Sequence, residues 1–121
     1  MRYIAPAMLL VTALIHLLPL FGVLGVERLA TLYGIAIADP NLEILLRHRA
    51  VLFGVLGGLL VSGAFIRSLR LAGFIAGFVS VASFLLIAWQ VGGYNAELGR
   101  VAFGDLVALV CLVIGFAAHI R

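Results

Sequence analysis

Four long apolar runs occupy most of the chain and constrain its fold more than any other feature. They extend over residues 4–24, 50–66, 71–91 and 101–120. Each is close to the roughly 20 residues that a helix needs to cross the hydrocarbon core of a bilayer. Because backbone groups in lipid must pair within their own segment, such runs fold as helices. The runs predict an all-α integral membrane protein, a four-helix antiparallel bundle.

Composition and length support one transmembrane domain. Hydrophobic residues make up 65% of the 121 residues and charged residues only 11%, which is far from the composition of soluble domains. Four spans and short connections use the whole length and leave no room for a soluble domain. We predict a single domain over residues 1–121, with spans at about 4–24, 42–66, 70–92 and 100–120.

The segment between the first two runs predicts a short interfacial helix. Val26, Leu29, Leu32 and Tyr33 recur at helical spacing, and Gly34 follows as a helix stop.

Helix two is predicted to begin with a polar stretch, well before its apolar run. Asp39 before Pro40 is typical of a helix N-cap followed by a proline at the first helical position. Glu43 and Arg47 are spaced for an ion pair across one helical turn.

All acidic residues lie in or beside two of the connecting segments: Glu27, Asp39, Glu43, Glu97 and Asp105. Alternating spans bring these two segments to one side of the membrane. The other side carries arginine and no acid, in short loops of the kind retained in the cytoplasm. We therefore expect both termini in the cytoplasm and the acids on the outer face of the membrane. The arginines are scattered without a basic run, so the sequence gives no sign of nucleic-acid binding.

Counting depth along the helices predicts a polar layer in the outer half of the membrane, to which all four helices contribute. A charge at such depth costs about 2.5–3.5 kcal/mol and needs a partner, so we expect Asp105 to meet Arg49 or Arg47. Two interpretations stay open, a structural network that ties the helix ends together and a ligand-binding site. The candidate residues are His16, Glu43, Arg47, His48, Arg49, Gln90 and Asp105.

His16 is expected to donate to a backbone carbonyl near residue 15, which Pro19 leaves without its helical partner. Ligation or proton transfer is the alternative role. Haem held between His16 and His48 is conceivable, but no spacing motif supports it. The sequence has no zinc pattern, which predicts no metal site.

No catalytic residue is predicted. The serines at positions 62, 68, 80 and 83 are expected to lie away from the outer histidines, so the sequence indicates no activated nucleophile.

Small residues at four-residue spacing predict close helix packing. The surface they form is either internal to the bundle or a homodimer seam. The predicted packing residues are Ala50, Gly54, Gly58 and Ser62 on helix two, and Gly73 and Gly77 on helix three.

Pro19, the segment 32–35 (Leu-Tyr-Gly-Ile) and above all the segment 49–54 (Arg-Ala-Val-Leu-Phe-Gly) resemble the DoxX-like superfamily of small bacterial four-helix membrane proteins. The resemblance implies a four-helix antiparallel bundle, with Arg49 matching the family's arginine before a glycine-rich span. Some members are thought to be membrane subunits of quinone-linked oxidoreductases, and one branch has no assigned function. Similar short chains also look like ones labelled phosphopantetheine adenylyltransferase, an enzyme whose soluble nucleotide-binding fold and His-x-Gly-His motif this sequence lacks.

The leading functional expectation is a non-enzymatic accessory or binding subunit with a polar site on its outer face. It needs no cofactor, and its partners are the bilayer and either a membrane protein or a second copy of the chain. A quinone- or haem-linked subunit of an oxidoreductase is the first alternative. A small transporter or channel is the second.

Overall fold

The computed structural model describes residues 2–20 and 25–121, and all regular structure in those residues is helical. Three helical stretches are long and apolar enough to cross a membrane: Pro40–Phe65, Arg67–Val91 and Ala96–His119. This confirms the all-helical class of the prediction, and the three long apolar helices are consistent with a membrane protein. The helices are α1 (Ile4–Leu17), α2 (Val26–Tyr33), α3 (Pro40–Phe65), α4 (Arg70–Val91) and α5 (Ala96–His119), with a 3-10 turn at Arg67–Leu69 between α3 and α4.

The first helix is shorter than the predicted span 4–24. The α-helix ends at Leu17, and a tighter helical turn continues to Leu20, so the apolar helical stretch Ile4–Leu20 is shorter than the other three. Pro19 accounts for the early end, because a proline has no N–H to donate and its ring clashes with the preceding turn. Residues 21–24 of the predicted span lie outside the described residues.

The polar ends of α2 and α3 form as predicted. Gly34 ends α2 in the left-handed conformation, with φ 66°. Asp39 caps α3 by accepting a hydrogen bond from the backbone N–H of Asn41 at 2.9 Å, and Pro40 is the first helical residue. Glu43 and Arg47 form the expected ion pair, with 3.1 Å between Oε2 and Nη1.

The last helix begins earlier than predicted, at Ala96 rather than near residue 100. Asn95 starts it by accepting a hydrogen bond from the backbone N–H of Leu98 at 2.9 Å. The side-chain amide of Asn95 also donates to the carbonyl of Tyr33 at 2.8 Å. One residue therefore caps α5 and ties it to the end of α2.

The long helices pack around a shared apolar core. α1 contacts α3 and α5, and α4 contacts the same two helices. The largest core side chains with almost no exposed surface are Leu9, Leu60, Phe74, Val81 and Leu112, and they come from all four of these helices. A separate small cluster lies at α2, formed by Leu29, Tyr33 and Ile37.

Glycines mark the closest helix approaches, but they are only partly the predicted ones. Gly73 and Gly77 are buried as expected, whereas Gly58 is exposed, and a methyl group at its Cα would have no neighbouring atom within 4 Å. The adjacent Gly57 is buried against Leu17 of α1 instead, and Gly115 of α5 lies against α1 and α4. The i, i+4 pattern identified small residues, while the rotation of α3 toward α1 selects which of them meet a neighbour.

Alanine substitution at Gly115 and Gly58 tests this packing. A Cβ on Gly115 would lie 2.8 Å from Cβ of Met8 and 3.0 Å from a ring carbon of Phe74, so the helices must separate. We expect Gly115→Ala to lower the free energy of unfolding in detergent by about 1–3 kcal/mol. Gly58→Ala is the matched control and should be neutral or stabilising, because alanine favours helix. Equal losses in both variants would contradict the assigned contact.

Candidate functional site

The predicted polar residues separate into one group that lies among the packed helices and a second group that is more exposed. His16 and Asp105 are buried, with 1% and 9% of their surface exposed, and Arg49 is half-buried. The second group consists of half-buried Glu43 and exposed Arg47, His48 and Gln90. Only the first group lies among the packed helices, and together with Ser80 of α4 it forms what we call the polar layer.

His16 is held by hydrogen bonds at both ring nitrogens. Nδ1 lies 2.9 Å from the carbonyl oxygen of Thr12, which only accepts, so Nδ1 carries a proton and donates. In the neutral ring Nε2 then accepts from the hydroxyl of Ser80, with 3.1 Å between Nε2 and Oγ. The ring also packs on Phe53 at 5.8 Å between centroids. His16 thus joins α1, α3 and α4.

Two details of His16 differ from the sequence-based expectation. Its acceptor is the carbonyl of Thr12, one turn back along the same helix, and not a carbonyl near residue 15. The expectation that Ser80 lies away from the outer histidines was wrong. Ser80 lies halfway along α4, and His16 and Ser80 lie at similar distances from the starts of α1 and α4.

Arg49 lies among aromatic rings rather than against a carboxylate. Its guanidinium carbon is 4.6 Å from the ring centroid of Phe53, 5.4 Å from Phe84 and 5.8 Å from Tyr33. Cations are attracted to the faces of aromatic rings by about 0.5–2 kcal/mol, more where water is excluded. These contacts use the charge but not the N–H groups, and the buried Nε of Arg49 has no hydrogen-bond partner.

Asp105 does not form the ion pair that we expected with Arg49. No oxygen of its carboxylate lies within 4 Å of a guanidinium nitrogen of Arg49, although the two charges interact at longer range. Within the described part of the chain, no side chain donates a hydrogen bond to Asp105. The polar layer therefore contains an acceptor and a donor that interact electrostatically and do not form a hydrogen bond with each other.

Tyr33 of α2 is a further neighbour of Arg49 and Asp105. Burial raises the pKa of its hydroxyl above the ordinary value of 10, the charge of Arg49 lowers it, and the charge of Asp105 raises it further. With the net direction upward, Tyr33 remains neutral at physiological pH. It contributes a polarisable ring to Arg49 and no additional charge.

A cavity of about 330 Å³ opens beside Asp105 and His16, and we call it the outer cavity. Most of its lining is apolar, contributed by α1, α2, α3 and α5, while Glu97 and Arg100 stand at its polar side. A smaller cavity of about 160 Å³ contains Arg49 and Ser80. Phe53 lines both cavities. The outer cavity suits a molecule with an apolar body and a polar head.

Several residues of this site were not identified from the sequence. Phe53 follows Arg49 by four residues, so helical spacing was a usable signal for their contact. Ser80, Phe84 and Tyr33 come from other helices, and nothing in the local pattern indicates that they meet Arg49 or His16.

The arrangement is suited to binding more than to nucleophilic chemistry. The Ser80 hydroxyl is bonded to His16, but the other ring nitrogen of His16 is oriented by a backbone carbonyl and not by a carboxylate. In residues 2–20 and 25–121 no three metal-ligating side chains converge. No protein-family model, curated protein or solved structure matches the chain significantly.

A double-mutant cycle tests whether His16 and Ser80 act as a structural tie. His16→Leu should lower the free energy of unfolding by about 1–3 kcal/mol, because it leaves the half-buried Ser80 hydroxyl without its partner. His16→Leu/Ser80→Ala should cost less than the two single changes together, with a coupling of about 0.5–1.5 kcal/mol. Ser83→Ala, at an exposed serine one turn away, is the control. Strict additivity would show that the bond contributes nothing.

Proposed function

We propose that the chain is a small four-span membrane protein that acts as a non-enzymatic binding or accessory subunit, with the outer cavity as its ligand site. The ligand has an apolar body that fills the cavity and a polar head that meets Asp105 and Arg49. The observation that carries the proposal is a pair of incompletely satisfied groups next to Phe53, which lines both cavities. The carboxylate of Asp105 lines the outer cavity, and Arg49, whose buried Nε has no hydrogen-bond partner, lines the smaller cavity.

The energetic argument starts from the cost of burial. A charge in a membrane span costs about 2.5–3.5 kcal/mol, and a structural network recovers part of that cost through pairing. Arg49 and Asp105 are not paired with each other, so an ion pair that ties helix ends together does not explain their presence. A ligand that accepts a hydrogen bond from Arg49 and donates one to Asp105 would satisfy both groups at once.

The proposed topology uses α1 as the fourth span, together with the three long helices. α1 is apolar and packs against α3 and α5, which supports its place in a bundle and leaves α2 as the interfacial helix. Arg2, Arg67, Arg70 and Arg121 then share the cytoplasmic side of a bacterial inner membrane, as short arginine-bearing segments do. The outer cavity faces the periplasm in this orientation.

The resemblance to the DoxX-like superfamily agrees with this proposal as far as architecture is concerned. It rests on short motifs around Arg49, and that residue has a specific environment here among three aromatic rings. A partner protein or a second copy fits the same proposal. Gly58 leaves an exposed small-residue position on α3, where a helix of another chain can approach closely.

A quinone is the second candidate for the ligand, and haem is not supported. The apolar outer cavity with Phe53 at its wall suits a quinone ring, and Arg49, which lines the smaller cavity that shares Phe53, is the proposed donor to a ring carbonyl. Haem ligation by His16 would require Nε2 to leave Ser80, and His48 is exposed. The transporter alternative has no support from the core, where Leu9, Leu60 and Leu112 are fully buried below the polar layer.

The proposal is tested by identifying what stays bound to the tagged protein. The protein is purified from its native membrane in mild detergent, and bound molecules are extracted and identified by mass spectrometry. We expect a stoichiometric amphipathic molecule in the wild type. Retention should fall about tenfold or more in Asp105→Asn and Arg49→Gln, which remove hydrogen bonds to charged groups. Glu43→Gln, at the exposed ion pair, is the matched control.

Stability separates a ligand site from a structural ion pair. If Asp105 serves a ligand, Asp105→Asn removes the cost of a buried charge, so the melting temperature of the ligand-free protein should stay the same or rise. If Asp105 forms a structural pair, the same change should cost about 3–5 kcal/mol. Loss of stability without loss of bound molecule, or a partner-free protein with intrinsic turnover, would overturn the proposal.

A further inference from the structure

A second concave surface lies at the end of the molecule away from the acidic segments, and we call it the basic cavity. Its volume is about 260 Å³. Four of its side chains are arginines, contributed by the start of α1, the turn between α3 and α4, and the end of the chain. Its main lining residues are Arg2, Arg67, Arg70, Ala118, His119 and Arg121.

The arginines of the basic cavity differ in what they already bind. Arg70 is engaged with the end of α3, because its Nε donates to the carbonyl of Gly63 and its Nη2 donates to the carbonyl of Ala64, each at 3.0 Å. Arg2 lies over the ring of Tyr3 at 5.0 Å. In the described residues no carboxylate side chain lies within 4 Å of Arg2, Arg67 or Arg121. Arg70 is therefore held in place by the end of α3, whereas no carboxylate side chain neutralises the other three arginines of the cavity.

An apolar groove continues from the basic cavity along α1 and α5. It measures about 270 Å³ and is lined by Ile4, Ile114 and Ala117, together with Ala118 and Arg121, which also line the basic cavity. The two surfaces are thus adjacent at the ends of apolar helices. Lipid phosphates lie at this depth, and lipid acyl chains run from it along the helices.

We propose that the basic cavity and the groove together bind one anionic phospholipid of the surrounding membrane. The phosphate lies among Arg2, Arg67 and Arg121, and one acyl chain lies in the groove beside Ala117. A general preference for arginine on one side of a membrane would place these residues at this end. It would not require them to converge on one cavity that joins an apolar groove. The inference does not depend on the function proposed for the outer cavity.

Binding to lipids of stated composition tests the inference. Native mass spectrometry of the detergent-solubilised wild type should show one phosphatidylglycerol bound, and much less phosphatidylcholine. Because one arginine near a membrane surface contributes about 1 kcal/mol, Arg67→Gln and Arg121→Gln should each weaken phosphatidylglycerol binding about fivefold. Arg28→Gln removes one exposed arginine elsewhere and should leave it unchanged. Equal weakening in Arg28→Gln would overturn the inference.

The groove and the identity of the anion are tested separately. Ala117→Trp fills the exposed groove without changing charge, so it should weaken phosphatidylglycerol binding. Inorganic phosphate at millimolar concentration should not displace the lipid. Displacement by phosphate together with no effect of Ala117→Trp would identify a soluble-phosphate site and contradict the lipid. Equal binding of phosphatidylglycerol and phosphatidylcholine would contradict the role of the arginines.

Discussion

The close packing of α1 against α3 and α5 is the interaction on which the rest of the structure depends. The side chain of Leu17 packs against Gly57 of α3, and Gly115 of α5 lies directly against Cβ of Met8. In lipid there is little hydrophobic drive between apolar helices, so association relies on this kind of close packing and on hydrogen bonds. With α1 in this position, His16 reaches Ser80, and the residues before Pro19 become one wall of the outer cavity.

The polar layer shows two different ways of placing polar groups among apolar helices. His16 and Ser80 satisfy each other, and the buried Thr12 donates to the carbonyl of Met8, so these groups are compensated and hold the helices together. Arg49 and Asp105 are compensated only in part, by aromatic faces and by a longer-range attraction. Buried polar networks that are incompletely satisfied are unfavourable. This cost is the reason to expect that the second pair serves a molecule that binds to it.

Local signals in the sequence predicted the helices and their ends, because caps and breakers act over a few residues. Asp39, Gly34 and the pair Glu43–Arg47 behave as their spacing indicates. The early end of α1 was also encoded, in Pro19, but the continuous apolar run concealed it.

Contacts between helices were predicted less well, for a physical reason. Four-residue spacing identifies a stripe, but the rotation of α3 against a partner decides that Gly57 and not Gly58 is buried. Depth counted from helix ends predicted His16, Arg49 and Asp105 in one layer, and it missed Ser80, which contacts His16. Whether two charges within a layer touch depends on side-chain directions that no local pattern encodes, and the separation of Arg49 from Asp105 is such a case.

The two ends of the molecule are separated by the apolar core, which argues that they act independently. Leu9, Leu60, Phe74 and Leu112 fill the space between the polar layer and the basic cavity, and each is almost completely buried. No polar side chain among the described residues bridges that layer to carry a charge or a hydrogen-bond chain across it. A change in charge at Arg67 or Arg121 therefore acts on Asp105 only across the length of the apolar core, at a distance that weakens the interaction, and the converse holds as well. In the proposed topology the lipid bound at the basic cavity and the ligand bound at the outer cavity would therefore be recognised by separate sets of residues.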